Sequence, residues 1–460
     1  MLVFWTVVWT VGLQLFLFAI LGGTVYMIVA RQLRKRIERL FSDTYSENLW
    51  EGVTGLKHMG IEQTVENELR ASTNKVLHKP LGGARDFPHF EGLLFTPAQL
   101  VKLPVDDFVP VDISTEIGPR SNRPLRLSMP ILVSAMGYGV ALSKPFSLAI
   151  AKGTALAGTA FNTGQGPILP EHRSYGKHMV VQYHGAFWRP TDEQLAVADM
   201  VEIRFGQGAN AGAGASVTAA ELPDDVLRDF MQYANRPAST LHIPAGLSEV
   251  RSGDELVSLV KRLRDVAHGV PIAVKLAASH LLEKEVDIAL RADVDAIVID
   301  GAQAGTHGSP AILVDDFGLP TLAALCRADK HLRNRHKRNN TTLIISGRVR
   351  TPGDMLKALA LGADAVYIGA SALFATSHKQ ILKPLPFEPP TQLAWATGTH
   401  EADFSLEEGA QSLANFLVSS SEELKSGIRA LGKQSVRELD KTDLVAWDPE
   451  VARVTGLPLV

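Results

Sequence analysis

The chain has 460 residues, 46% of them hydrophobic and 21% charged, with a formal net charge of −3. That apolarity excludes a disordered chain, the lack of a glycine period excludes a fibre, and the near-neutral balance gives no basis for nucleic-acid binding. One cysteine, Cys326, excludes an iron–sulfur cluster, a Cys-rich zinc site and an intrachain disulfide. Chemistry must then come from oxygen and nitrogen side chains, or from a cofactor held without thiolates.

Residues 1–30 contain no Asp, Glu, Lys or Arg. A hydrocarbon core needs roughly 20 apolar residues as helix, so this stretch predicts one transmembrane helix. Trp5, Trp9 and Tyr26 suit the interfaces, and the basic run Arg31 to Arg39 favours a cytoplasmic location for everything that follows. A signal peptide carries its charge before the apolar run, which is the reverse order. Residues 31–80 read as a basic juxtamembrane and connecting segment of mixed helix and coil.

Residues 81–385 change character. Short apolar runs recur at Pro130–Met136, Leu156–Asn162, Met179–His184, Met200–Phe205, Pro271–Leu276, Ala296–Asp300, Leu343–Ser346 and Ala365–Gly369. Helical segments such as Pro145–Lys152, Asp254–Val266 and Gly353–Leu361 separate them. Strands buried on both faces read as continuous apolar runs, so eight such units predict an α/β fold, a (β/α)8 TIM barrel. A doubly wound sheet is disfavoured because Ala135-Met-Gly-Tyr-Gly139 lacks the third glycine of a dinucleotide turn. Asp112–Leu127 predicts a hairpin plugging the barrel floor. The connections 206–269 and 301–342 are long, and long loops after barrel strands suit substrate lids. Residues 386–460 read as a Pro-marked linker and a helical extension, Leu406–Leu431, against the barrel.

Two signals carry chemistry. Ser346, Gly347 and Arg348 end strand seven, and Gly369 and Ala370 end strand eight. Glycines there let backbone amides and a helix N-terminus approach an anion, and these loops are the usual phosphate site of a barrel. Lys275 ends strand five, where a buried ammonium needs an anionic partner; a reduced flavin is one such partner. The alternative is a structural ion pair.

Together these pieces bring out a family. The chain resembles the FMN-binding glutamate synthase family, from about Asp112 to the C-terminus. The resemblance lies in Ser134-Ala-Met-Gly137, Asn162-Thr-Gly-Gln-Gly166, Gln207-Gly-Ala209, Val274-Lys-Leu276, Asp300-Gly-Ala-Gln-Ala-Gly-Thr-His-Gly-Ser-Pro310 and Leu359-Ala-Leu-Gly-Ala363. The tail pieces Ala414-Asn-Phe-Leu417 and Ala430-Leu-Gly-Lys433 look similar as well. The resemblance implies FMN as cofactor, with Ser134, Ala135, Met136 and Gly137 along the flavin ring and Lys275 at its N1 side. Ser346, Gly347, Arg348, Gly369 and Ala370 would hold the phosphate. Asn162, Thr163, Gly164, Gln165, Gln207 and Asn210 would face the substrate. The implied reaction reduces a 2-iminoglutarate-like imine to an amino acid, with the flavin carrying the redox chemistry.

Four departures bear on that reading. Ala375–Gln380 stands where larger members bind an iron–sulfur centre, and no glutaminase domain is present, so electrons and ammonia would come from partner proteins or from solution. Gln165 replaces the family's glutamate and Asn210 its lysine; both help hold the dicarboxylate. The loop Asn210–Ser216 carries no charge to replace them. His307, in the loop after strand six, lies where flavin-dependent 2-hydroxy-acid oxidases place a histidine base. Two alternatives follow: an oxidase using His307, or a membrane-tethered barrel that binds a phosphate ligand without catalysis. Cys326 falls within a predicted helix, Thr321–Ala328, which disfavours a thiol mechanism. The basic run Arg327–Arg338 reads as solvated surface, or as a lipid-facing patch at the bottom of the barrel.

Overall fold

The computed structural model describes residues 1–83, 85–234, 238–305, 308–385 and 390–460. The chain falls into two compact units, Met1–Leu77 and His78–Val460.

In the first unit, helix α1 (Leu2–Ser42) is long and apolar enough to cross a membrane, and none of its residues is buried. It does not stop at residue 30. With no Gly or Pro between Thr24 and Ser42, the basic run continues the helix to Asp43, whose extended backbone ends it. Asn48 then caps α2 (Leu49–Met59), accepting from Trp50 N at 2.9 Å, and its side-chain amide donates back to Arg39 O and Leu40 O. Helix α3 (Ile61–Thr73) follows after Gly60.

The second unit is built on a closed parallel barrel of eight strands, adjacent in chain order. They are β1 (Ile131–Val133), β2 (Ala160–Asn162), β3 (His178–Tyr183), β4 (Met200–Arg204), β5 (Ile272–Ala277), β6 (Ala296–Asp300), β7 (Thr342–Ser346) and β8 (Ala365–Ile368). All eight apolar runs are strands, because each is buried on both faces by the barrel interior and the outer helices. Two are shorter than their sequences suggest. After Ser134 N donates to Ile368 O at 2.9 Å, residues 135–137 leave the sheet for the barrel mouth. Residues 156–157 close α4 (Lys144–Ala157), which runs on until Gly158 caps it at φ 77°.

The predicted hairpin forms: Thr115–Ile117 pairs antiparallel with Leu125–Leu127. Ile117, Leu125 and Leu127 pack against the inward-facing Leu132, Val180, Met200 and Ile344, sealing the barrel floor with apolar surface. Gly118 N donates to Thr342 Oγ1 at 3.0 Å, locking the turn to the start of β7.

The connection after β4 is a layer of its own. It holds a two-stranded ribbon, Ala215–Thr218 with Thr240–Ile243, then α5 (Asp224–Met231) and α6 (Gly253–Val266). Phe230, Leu222 and Ile243 share a small core with Tyr138 and Trp188. After α7 (Leu282–Arg291), helix α8 (Thr321–Asn334) buries Cys326, whose thiol burial pushes up to about 11. The basic run Arg327–Arg338, on and just past α8, is largely neutralised within the fold. Arg327 pairs with Glu283, Arg335 with Asp287, and Arg338 with both Asp329 and Asp364. Such committed charges give a lipid-facing patch little to work with.

Helices α9 (Pro352–Ala360) and α10 (Ala370–Ser377) follow β7 and β8. The C-terminal α11 (Leu406–Ala430) packs along α4, close enough that a Cβ at Gly153 would lie 2.8 Å from Ala410 O. The proline-marked stretch 386–389 lies outside the described residues.

Candidate active site

The barrel interior is apolar at the floor and polar at the mouth. Strands β2 to β8 each carry one or two polar residues toward the C-terminal end: Asn162, Gln182, Glu202 and Arg204, Lys275, Asp300, Ser346 and Tyr367, all buried. Burial of such groups demands partners. Glu202 Oε1 accepts from Asn162 Nδ2 at 2.8 Å and from Gln182 Nε2 at 2.7 Å. Asn162 Nδ2 also reaches Tyr367 Oη at 3.3 Å. The Tyr367 phenol is pushed far up, by burial first and then by the nearby Glu202 carboxylate, so it stays a neutral hydroxyl. Lys275 Nζ lies 3.2 Å from Asp300 Oδ2, with the two side chains 3% and 5% exposed, and sits 5.5 Å from the Tyr367 ring centroid. Asp300 Oδ2 also accepts from Gly208 N at 3.1 Å.

Above this layer opens a cleft of about 740 Å³ at the C-terminal ends of the strands, within the range of small-ligand sites. Residues 134–137, Gly164, Gln165, Gln207, Asn210, Lys275, Ser346, Gly347, Arg348, Gly369 and Ala370 all line it. Of the residues expected at the site, Asn162 and Thr163 stand behind the wall instead. Asn162 is turned inward to Glu202, and Thr163 Oγ1 accepts from Gln182 N at 3.2 Å. His307 lies outside the described residues.

The phosphate-type end of the cleft is shaped by backbone. Gly347 has φ 127° and Arg348 φ 54°, a turn that swings the chain away from β7. A Cβ on Gly347 would meet Thr321 Oγ1 at 2.2 Å, so only glycine fits. Helix α10 starts immediately after Gly369, which leaves its first amides directed at the mouth. Ser371 Oγ donates to Val349 O at 3.0 Å, tying the two loops together. The donor set fits an FMN: backbone amides, the Arg348 guanidinium and the buried Gln303 amide nitrogen, which has no partner among the described residues.

Lys275 was legible from sequence, but its carboxylate partner Asp300 was not. Arg204, Glu202, Gln182 and Gln303 were missed as well. Their signal is a polar residue interrupting an otherwise apolar barrel strand, or, for Gln303, the first turn beyond one. Arg204 is 3% exposed and donates through Nη2 to Asn210 Oδ1 at 3.1 Å and to Ala213 O at 3.2 Å. Burial draws its guanidinium down to about 10, which leaves it cationic at neutral pH.

His184, just past the end of β3, is buried, and burial followed by Arg204 and Arg189 depresses it to about 3. It therefore stays neutral in the folded protein, whereas the unfolded chain protonates it below 6.5. The unfolded state binds more protons in that window, so stability falls as pH drops from 6.5 toward 3. Urea midpoints measured at about pH 7 and about pH 5 should show this loss, and His184→Gln should make the two midpoints more alike.

Fold and site define a cofactor-binding (β/α)8 barrel enzyme. A family model described as a conserved region in glutamate synthase matches residues 95–434. The chain belongs to that family, and its class is FMN-dependent oxidoreductase. It is 29% identical over 399 residues to a glutamate synthase large subunit-like protein of Rhizobium meliloti, covering 82% of this chain and 89% of the relative. It is 35% identical over 273 residues to an archaeal glutamate synthase [NADPH] of Archaeoglobus fulgidus, covering 59% of this chain and 52% of the relative. Among solved structures, a mutant flavocytochrome b2 with benzoylformate superposes with a TM-score of 0.51 at 19% identity, over 82% of this chain and 84% of that one. That likeness speaks to the fold alone.

Proposed function

We propose that the cleft holds FMN and that the protein reduces the imine formed from a 2-oxo acid and ammonia, yielding an amino acid. The observation that carries this is the shared cleft. A buried Lys275–Asp300 pair stands at one side, and the glycine-shaped loops after β7 and β8 at the other. Bound FMN would supply the hydride equivalent. In this reading Gly347, Arg348, Gly369 and Ala370 take the phosphate, and residues 134–137 support the ring. The Lys275 ammonium faces its electron-rich edge. Asp300 fixes that ammonium, and the amide side chains of Gln165, Gln207 and Asn210 orient the substrate.

Helix α1 fits a membrane anchor, and the basic run from Arg31 favours the cytoplasmic side for the barrel. Electrons and ammonia would then reach the cleft from partner proteins or from solution. Full-length protein purified in detergent should be yellow and release about one FMN per chain on acid denaturation, identified by mass spectrometry. Colourless protein that takes up no added FMN would overturn the reading.

A further inference from the structure

We propose that the substrate end of the cleft selects a monocarboxylate 2-oxo or 2-imino acid with an apolar side chain, rather than a dicarboxylate. The inference rests on the imine-reductase reading and narrows its substrate class.

Among the described residues, the lysine and arginines that line the cleft are accounted for elsewhere. Lys275 is matched by Asp300 at 3.2 Å. Arg348 and Arg350 follow β7 at the phosphate end, where Arg350 pairs with Glu91. On the wall beyond Gln165 and Asn210, the lining residues are the apolar Ala215, Val217, Leu222 and Ile243 with the single hydroxyl of Ser216, and Glu221 is the charged neighbour. These residues come from the connection after β4, and its apolar ones share a core with Trp188, whose Nε1 donates to Gln165 O at 2.7 Å. The apolar wall is therefore attached to the Gln165 turn and does not merely lie near it. Arg204 stands behind Asn210, 3% exposed, with Nη2 given to Asn210 Oδ1 and Ala213 O.

A second carboxylate entering this wall would lose water, meet no lysine or arginine among the described residues of the wall and approach Glu221. An alkyl group would gain from the same desolvation. One carboxylate can still be met. Gln165 Nε2 is a buried donor without a partner among the described residues, on a side chain that lines the cleft and is 7% exposed. The donor set suits one anionic end and an uncharged tail.

The test is a binding titration on full-length FMN-loaded protein in detergent, read by tryptophan fluorescence, since Trp395 lines the cleft. The probes are 2-oxo-4-methylpentanoate and 2-oxoglutarate. The five-carbon dicarboxylate should bind at least about tenfold more weakly than the branched monocarboxylate. The double substitution Asn210→Lys with Gln165→Glu should narrow or reverse that ratio. Equal affinities, tighter 2-oxoglutarate binding, or no binding of either probe would overturn the inference. If the monocarboxylate binds but its mixture with ammonium never re-oxidises the reduced flavin, the specificity stands and the imine-reductase reading fails. If 2-oxoglutarate binds tighter and re-oxidises the flavin with ammonium, the reading stands and the specificity fails.

Discussion

Lys275→Met is expected to lower the unfolding free energy by about 3–5 kcal/mol, the usual cost of stranding one partner of a buried ion pair. Asp300 is 4% exposed; its Oδ2 meets the Lys275 ammonium and the Gly208 amide, and the Arg204 guanidinium acts on its charge from farther away. Without the ammonium, that carboxylate must either stay charged in a low-dielectric layer or take up a proton. Adding Asp300→Asn removes the stranded charge and keeps an oxygen for Gly208 N. The double variant should therefore recover most of the loss, and urea unfolding of the two single variants and the double measures the coupling. Equal losses in the single and double variants would mean that a stranded Asp300 carboxylate is not the source of the loss. FMN affinity separates the two roles of Lys275: it should stay weakened in the double variant even as stability returns.

The second large effect is expected from Gly347→Ala. The new Cβ would fall 2.2 Å from Thr321 Oγ1 on a backbone with φ 127°, so the turn after β7 must move. Moving it shifts the Arg348 backbone and breaks the register between the two loops that Ser371 joins. Apoprotein titrated with FMN should show affinity lowered by about tenfold to a hundredfold, equivalent to about 1.4–2.8 kcal/mol. Gly353→Ala is the matched control. It lies in the first turn of α9, and its Cβ would meet only Thr351 Oγ1 at 3.6 Å. FMN affinity in that variant should match the parent protein's.

Much of this was legible in the sequence because barrel strands are buried on both faces. Continuous apolar runs such as Ala296–Asp300 therefore marked themselves without any periodicity. The glycines after β7 and β8 were legible for a related reason: backbone that must approach a ligand or another loop cannot carry a side chain. The partners of charged residues were not legible. Lys275 and Asp300 are on neighbouring strands 25 positions apart in sequence, and only the barrel register places Lys275 beside Val298 and Asp300 beside Ala277. Asn162 was read as a substrate contact because it sits in the motif. The structure turns it inward, because the buried Glu202 and Tyr367 offer the hydrogen bonds its amide requires. The long connection after β4 looked like a lid. Its apolar residues instead alternate along a ribbon, giving it a core and a place in the cleft wall.

Imine reduction is tested by anaerobic mixing of chemically reduced, FMN-loaded protein with a 2-oxo acid and ammonium, followed at the flavin absorbance band and by amino-acid analysis. The flavin should re-oxidise only when both components are present, with one amino acid formed per flavin. A flavin that remains reduced with every 2-oxo acid and ammonium pair would contradict it.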